Sequence, residues 1–281
     1  MMKITTSPWG AWCAALLFLV LPTVCTAADT IRINGSGNAL DMMRPMVAAY
    51  EKTNRDARIT MEKPLGSSGA IKALLAGALD LAVTSRTIKA EEAAKGARAR
   101  TYGTTPLVIV TGHNVGLADI STKQLEDVYA GRVRKWPNGE QIRLVLRPRE
   151  DTDTRVLSRL SPGMDRAISA SHARPGMIVA ITDPESYLTI AKTPGGIGTA
   201  SLNSILTQKP RVTVLSLNGV KPSPTALASG TYPLVKEIHF IFTAVTPPST
   251  QRLIDFIFSP QGRAIAQKNG VLVLPRPVPN N

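Results

Sequence analysis

The spacing of hydrophobic residues switches repeatedly along the chain between two and three to four positions. A spacing of two is typical of strands and the longer spacing of helices, so the pattern predicts an α/β architecture. Strands are predicted at 31–33, 58–62, 80–83, 106–111, 142–146, 211–217 and 232–243. Helices are predicted after Gly35–Asn38, Gly66–Gly69, Ser121–Gln124 and Thr152–Thr154, and a last helix carries Leu253, Ile254, Ile257 and Phe258.

Residues 1–28 have a different pattern, with Lys3 as their only charge and an apolar run from Ala11 to Leu21. The run ends in small residues at Ala27 and Ala28, which is the order of a secretory signal peptide cleaved near Ala28. It is far shorter than the roughly 18 to 20 apolar residues of a membrane span. A lipoprotein site at Cys25 is disfavoured because Val24 precedes it. We therefore expect an exported, periplasmic protein.

Removal of this segment also removes both cysteines of the chain, Cys13 and Cys25. Cysteine catalysis, zinc fingers and a disulfide scaffold are then excluded. The whole chain of 281 residues carries +13, and because Lys3 is the only charge lost, the remainder carries +12. Only 5% of residues are aromatic, and the basic residues form no stripe, so nucleic acid is not an expected partner.

The residue types of a catalytic or metal site are scattered. His113, His172 and His239 lie far apart in the sequence, and no G-x-S-x-G or H-E-x-x-H motif is present. Glu150, Asp151 and Asp153 alternate with arginines, which favours ion pairs over an acid/base or metal cluster. We therefore predict no enzyme activity, no metal and no cofactor.

One local device recurs instead: a strand ends in small or hydroxyl residues that open a helix, at Gly35–Asn38, Gly66–Gly69 and Thr152–Thr154. Helix starts expose backbone N–H groups and a partial positive charge, which suit an anion. Ser and Thr at a single helix start are usually just caps. Three such starts, with arginines beside the third, favour an oxyanion held by converging helices and a guanidinium.

Several segments carry a family resemblance. They are INGSG, LGSSGAIKALLAGALDLAVTSR, PLVIVTGHN, STKQLEDVYAGRVRKW, PGGIGTASL and IDFIFSPQGRAIAQKNGVLVL, which together span Ile31 to Leu274. In this order the segments resemble the phosphate-binding protein of bacterial phosphate ABC importers, within the periplasmic-binding-protein-like (PBP-like) superfamily, and the chain looks like a divergent member.

The resemblance implies a two-lobed periplasmic binding protein fold of type II, with two crossover strands and a ligand cleft between the lobes. The crossings are expected near Thr104–Val108 and Gly230–Lys236. Lobe 1 would then comprise 29–107 plus 236–281, and lobe 2 would comprise 108–235.

The resemblance also implies a set of ligand-binding residues. These are Ala39 and Leu40 through their N–H groups, Ser67, Ser68, Ser85, Arg149, Thr152, Asp153 and Thr154. Asp151 would orient Arg149, and Arg155 would lie beside them as a partner for Asp153. Two departures stand out: Ser85 replaces the family's aspartate that accepts a phosphate proton, and the loop R-E-D-T-D-T-R is one residue shorter and lacks glycine.

The expected function is an exported, monomeric solute-binding protein that captures an inorganic oxyanion, phosphate first, for an ABC permease of the inner membrane. Since Ser85 can both donate and accept a hydrogen bond, sulfate, molybdate or tungstate remain alternative ligands. A sensor or interaction protein that kept the fold without the transport ligand is the other alternative.

Overall fold

The computed structural model describes residues 1–2 and 30–275, so the predicted signal segment lies almost wholly outside the described residues. The strands are β1 Thr30–Gly35, β2 Arg58–Met61, β3 Leu81–Thr84, β4 Arg98–Gly112, β5 Asp119–Ile120, β6 Arg143–Leu146, β7 Ile178–Val179, β8 Gly196–Ser201, β9 Val212–Val214, β10 Ser216–Leu217, β11 Val235–Phe242 and β12 Leu272–Val273.

The helices are α1 Gly37–Thr53, α2 Gly66–Leu75, α3 Ala90–Ala94, α4 Thr122–Ala130, α5 Thr152–Ser158, α6 Pro162–Ala173, α7 Asp183–Lys192, α8 Leu202–Gln208, α9 Pro224–Ala228, α10 Pro248–Phe258 and α11 Pro260–Lys268. The predicted alternation of strands and helices is confirmed. None of the helices in residues 30–275 is long and apolar enough to cross a membrane.

The main sheet has the strand order β2-β1-β3-β11-β4-β8-β6-β7. β1 pairs in parallel with β2 and β3, and β6 pairs in parallel with β7 and β8. β4 joins these two parallel groups: its residues 98–106 pair with β11, and residues 107–111 pair with β8. The crossing predicted at Thr104–Val108 therefore falls inside one continuous strand, and the one predicted at Gly230–Lys236 leads into β11.

The buried side chains divide in the same way. One set of hydrophobic clusters draws on residues 31–102 and 238–273, and the other draws on residues 107–234. In the first set, Tyr102, Phe240 and Phe258 pack edge to face with ring centroids 5.1 to 5.5 Å apart. The predicted lobe boundaries follow this division and stay a prediction.

Close contact between β1 and β3 depends on Gly35. A Cβ atom at this position would overlap the carbonyl oxygen of Val83 in β3. The Ser36 amide donates to the same oxygen at 3.0 Å, so the two strand ends are fixed together where α1 begins. This contact brings Ser36 close to Ser85, the residue that follows β3.

We expect Gly35→Ala to lower the free energy of unfolding by about 2 kcal/mol or more, because the added methyl group meets rigid backbone. Gly69→Ala is the matched control, since its Cβ would meet only the Leu65 side chain at 3.2 Å and alanine favours a helix. Urea unfolding of both variants measures the difference. Equal stabilities would contradict the close-contact argument.

Candidate functional site

Several strand ends and helix starts meet around a small cavity of about 40 Å³. It is lined by Ser36, Gly37, Pro64, Gly66, Ser67, Ser85, Arg147, Asp151, Thr152, Ile181, Thr182, Asp183 and Lys236. These residues come from both sides of β4 in the main sheet. A wider cavity of about 370 Å³ beside Arg143 and Arg174 is lined by no serine or threonine, so it does not match the expected site.

The hydroxyl groups of the cavity form a connected network. The Ser36 and Ser85 Oγ atoms lie 2.7 Å apart, and both contact Asn38 Oδ1, at 3.0 and 2.6 Å. The Ser85 amide donates to Ser67 Oγ at 3.1 Å. Ser36 precedes α1, yet its hydroxyl makes no capping bond to the helix, and α2 likewise begins without a side-chain cap.

Lys236 brings two carboxylates together beneath the cavity. Its Nζ donates to Asp153 Oδ1 and to Asp183 Oδ1, each at 2.5 Å. The three side chains are 2%, 1% and 3% exposed, so these ion pairs are shielded from water. An ammonium group buried this deeply is stable only with charged partners, and it is supplied by β11, which lies between β3 and β4 in the sheet.

Arg147 supplies the second buried cation. Its Nη2 donates to Asp151 Oδ2 at 3.0 Å, and its Nη1 donates to the Ala180 carbonyl at 2.8 Å. Nη2 also lies 3.8 Å from Asp183 Oδ2, and Nε lies 3.8 Å from Asp153 Oδ2. Two cations therefore face three carboxylates in this charged cluster of Arg147, Asp151, Asp153, Asp183 and Lys236.

The charges shift the pKa values of the cluster. Burial raises the pKa of Asp153 to about 6. The positive charge of Lys236 opposes this rise, and the negative charges of Asp183 and Asp151 add to it. Burial also disfavours the charge of Asp183, but Lys236, Arg147 and the Asn38 amide together hold its pKa below the usual range. The pKa values of two carboxylates that share one cation move apart in this way. Burial lowers the pKa of Lys236, and the surrounding carboxylates more than reverse this.

The structure brings most of the predicted site residues to this region. Ser67, Ser85, Asp151 and Thr152 line the cavity. Ala39 and Leu40 are buried in the first turn of α1, but the Leu40 amide donates to the Ser36 carbonyl at 3.0 Å and is occupied.

The third helix start lies partly behind the cavity. Thr154 Oγ1 donates to the Arg147 carbonyl at 3.3 Å, and Asp153 is turned towards Lys236. Asp151 caps α5 by accepting from the Asp153 amide at 2.9 Å. Ser68 is exposed, and its Oγ accepts from Arg86 Nη2 at 3.0 Å instead of facing the cavity.

The predicted pair of Arg149 with Asp151 is wrong, because Arg147 makes this contact. A turn in which the Asp151 amide donates to the Pro148 carbonyl at 3.0 Å leaves the Arg149 side chain exposed. Arg147 directly follows the buried end of β6 and stays inside. The arginine that contacts Asp151 is therefore two residues earlier in the chain than expected. Arg155 is exposed as well, and Asp153 pairs with Lys236 in its place.

Lys236 and Asp183 are the site residues that the sequence did not reveal. Lys236 is the second residue of β11, directly before Glu237, and Asp183 stands before Pro184 at the start of α7. Neither stands out in the sequence, because a lysine near a strand start and an aspartate in the first turn of a helix are both ordinary. Within residues 30–275, no group of three or more His, Cys, Asp or Glu could hold a metal ion.

A comparison with protein families completes the picture. The model of the PBP superfamily domain matches residues 22–261. The chain belongs to the PBP superfamily. Among curated relatives, the phosphate-binding protein PstS of Borreliella burgdorferi is 23% identical over 253 residues, covering 86% of this chain and 89% of that protein. PstS of Bacillus subtilis is 25% identical over 244 residues, covering 83% and 76%.

A solved structure from Clostridium perfringens is similar in fold. It is described as a phosphate ABC transporter substrate-binding protein with bound phosphate, and it matches with a TM-score of 0.73 at 19% identity. The match covers 88% of this chain and 100% of that one. The periplasmic binding protein fold and the family resemblance inferred from the sequence motifs are thereby confirmed.

Beside the charged cluster, α1 carries a further buried carboxylate, Asp41. Tyr187 Oη of α7 donates to it at 3.4 Å, and Arg44 Nε lies 3.6 Å away. Burial raises the pKa of Asp41 to about 6; the nearby Ser204 hydroxyl opposes this rise, and the charge of Asp183 adds to it. A carboxyl group whose pKa is raised by folding stabilises the fold below its unfolded pKa and loses that contribution as the pH rises.

We expect the wild type to lose about 1 kcal/mol in free energy of unfolding, relative to Asp41→Asn, as the pH rises from about 5 to about 7. The reason is that the pKa of Asp41 in the folded protein lies within that range. Urea unfolding at each pH gives the comparison. Asp165→Asn, on the exposed part of α6, is the control and should show no such change. A pH-independent difference for Asp41→Asn would refute the prediction.

Proposed function

We propose that this chain is an exported solute-binding protein that captures an inorganic oxyanion, with phosphate as the first candidate, and delivers it to an ABC permease of the inner membrane. The names of its PstS relatives and the bound phosphate of the Clostridium perfringens protein support this choice. Residues 1–28 would direct export to the periplasm and be removed near Ala28. We further propose that the protein acts as a monomer and is not an enzyme.

The observation that carries the proposal is a buried donor at the cavity. Within the described part of the chain, Arg147, which lines the cavity, has a buried Nε without a hydrogen-bond partner, and so does Asn38 Nδ2 beside the Ser36 and Ser85 hydroxyls. Buried donors are nearly always satisfied, and an unsatisfied one costs roughly 1–3 kcal/mol. An oxyanion in the cavity could accept from Arg147 Nε and from the hydroxyls of Ser67 and Thr152.

The uncapped helix starts point in the same direction. α1 and α2 begin at the cavity without side-chain caps, whereas Ser121, Ser161 and Thr182 cap α4, α6 and α7. Both helices have more than two turns, so their N-termini carry a partial positive charge, and at α1 the Asp183 carboxylate already lies against it. Burial between the two strand groups would then remove the anion from water and strengthen each hydrogen bond. No covalent bond needs to form or break.

A sensor or interaction protein on the same fold is the second candidate. It is favoured by one observation: the three carboxylates Asp151, Asp153 and Asp183 already offset the charges of Arg147 and Lys236. A transported ligand and a sensed ligand can bind in the same cavity, so anion binding has to be established before transport and sensing can be distinguished.

Isothermal titration of protein purified free of phosphate should show saturable binding of at least one of phosphate, sulfate, molybdate and tungstate, and we expect phosphate to bind most tightly. Sulfate serves as the fully ionised control of the same shape. If none of the four anions binds to the folded protein, the capture of an oxyanion is excluded.

Arg147→Ala should weaken phosphate binding more than tenfold, because the anion loses a buried, charge-assisted donor. Arg149→Ala is the matched control: the arginine is two residues away and exposed, and its loss should leave the affinity unchanged. Arg147→Lys keeps the charge and shows whether the guanidinium shape is needed. The assignment would be overturned if the Arg149 variant alone lost affinity.

A further inference from the structure

Asp183 connects the two parallel strand groups at the start of α1. The first turn of α1, at Asn38, helps to hold the pKa of the Asp183 carboxyl below its usual range. A Cβ atom on Gly37 would lie 3.0 Å from Asp183 Oδ2, so the carboxylate lies directly against this turn. Asp183 itself opens α7, which packs against β8 and β4 on the other side of the sheet crossing.

This carboxylate uses the groups that a captured anion would need. It lies against the start of α1 at Gly37, it accepts one hydrogen of Lys236 at 2.5 Å, and its Oδ2 lies 3.8 Å from Arg147 Nη2. The start of α1, Lys236 and Arg147 each carry positive charge, and each borders the cavity. A side-chain carboxylate and an inorganic oxyanion have the same chemistry towards such donors.

The surrounding charges make simultaneous occupation costly. The buried or half-buried ionisable groups near the α1 start are Asp41, Asp151, Asp153 and Asp183 as acids, and Arg147 and Lys236 as bases, with Arg44 at the edge. The acids outnumber the buried bases. An added dianion would therefore meet net negative charge in a medium of low dielectric constant.

We propose that Asp183 is a built-in competitor of the captured anion, holding the α1 start and Lys236 until an oxyanion takes them over. The inference rests on the proposed function and deepens it, since it names the residue that sets the affinity. In the anion-free protein, Asp183 stabilises the contact between the two strand groups. When the anion binds, part of its binding free energy is used to displace this carboxylate.

The decisive variant is Asp183→Asn, which keeps the shape of the side chain and removes its charge. Two changes are expected together in phosphate-free protein: a lower Tm, because Lys236 loses an ion pair, and a phosphate affinity at least tenfold tighter by isothermal titration. The rise in Tm on adding phosphate should grow accordingly. A purely structural role would lower the Tm without tightening the binding of phosphate.

Asp165→Asn, the same substitution in the first turn of α6, is the control and should change neither quantity. If Asp183→Asn does not fold, Asp183→Ser retains a short polar group at the start of α7 and gives the same readouts. Unchanged or weaker phosphate binding by a folded variant overturns the competitor role while the proposed function stands. Absence of binding by both wild type and variant overturns the two together.

Discussion

The placement of one ammonium group, Lys236 Nζ, between two buried carboxylates organises the centre of the molecule. Asp153 belongs to α5 and Asp183 to α7, and neither carboxylate could stay charged there without this cation. Because β11 pairs with β3 of the first parallel group, its lysine joins that group to two helices that follow strands of the second. The starts of α5 and α7 are therefore tied to β11 at the cavity by an electrostatic contact.

The fold was largely predictable from the chain itself. Hydrophobic spacing predicted the alternating strands and helices, and Ser121 makes the expected capping box at the start of α4. The prediction missed the first half of β4, because residues 98–105 combine polar and small residues with only Tyr102 as a large apolar side chain. Their burial comes from pairing with β11, which is a contact between segments more than a hundred residues apart.

The candidate site was predictable only in part, and the reason is geometric. The hydroxyls of Ser67, Ser85 and Thr152 follow directly from helix starts and strand ends, which local sequence specifies. The choice of Arg147 over Arg149 depends on a turn of four residues, and a shift of two positions moves a guanidinium from the interior to solvent. Ion pairs such as Lys236–Asp183 join distant segments and have no local signature.

The continuity of β4 has a mechanical consequence. β4 is hydrogen-bonded to β11 over residues 98–106 and to β8 over residues 107–111, so the two parallel groups share one uninterrupted backbone. Any movement of one group against the other would have to bend this strand near Pro106, where β11 ceases to pair with it. β12 is attached to the same strand at Gly103 and Thr104, two residues from that bend. Bending of β4 would therefore also strain its pairing with the last strand of the described chain.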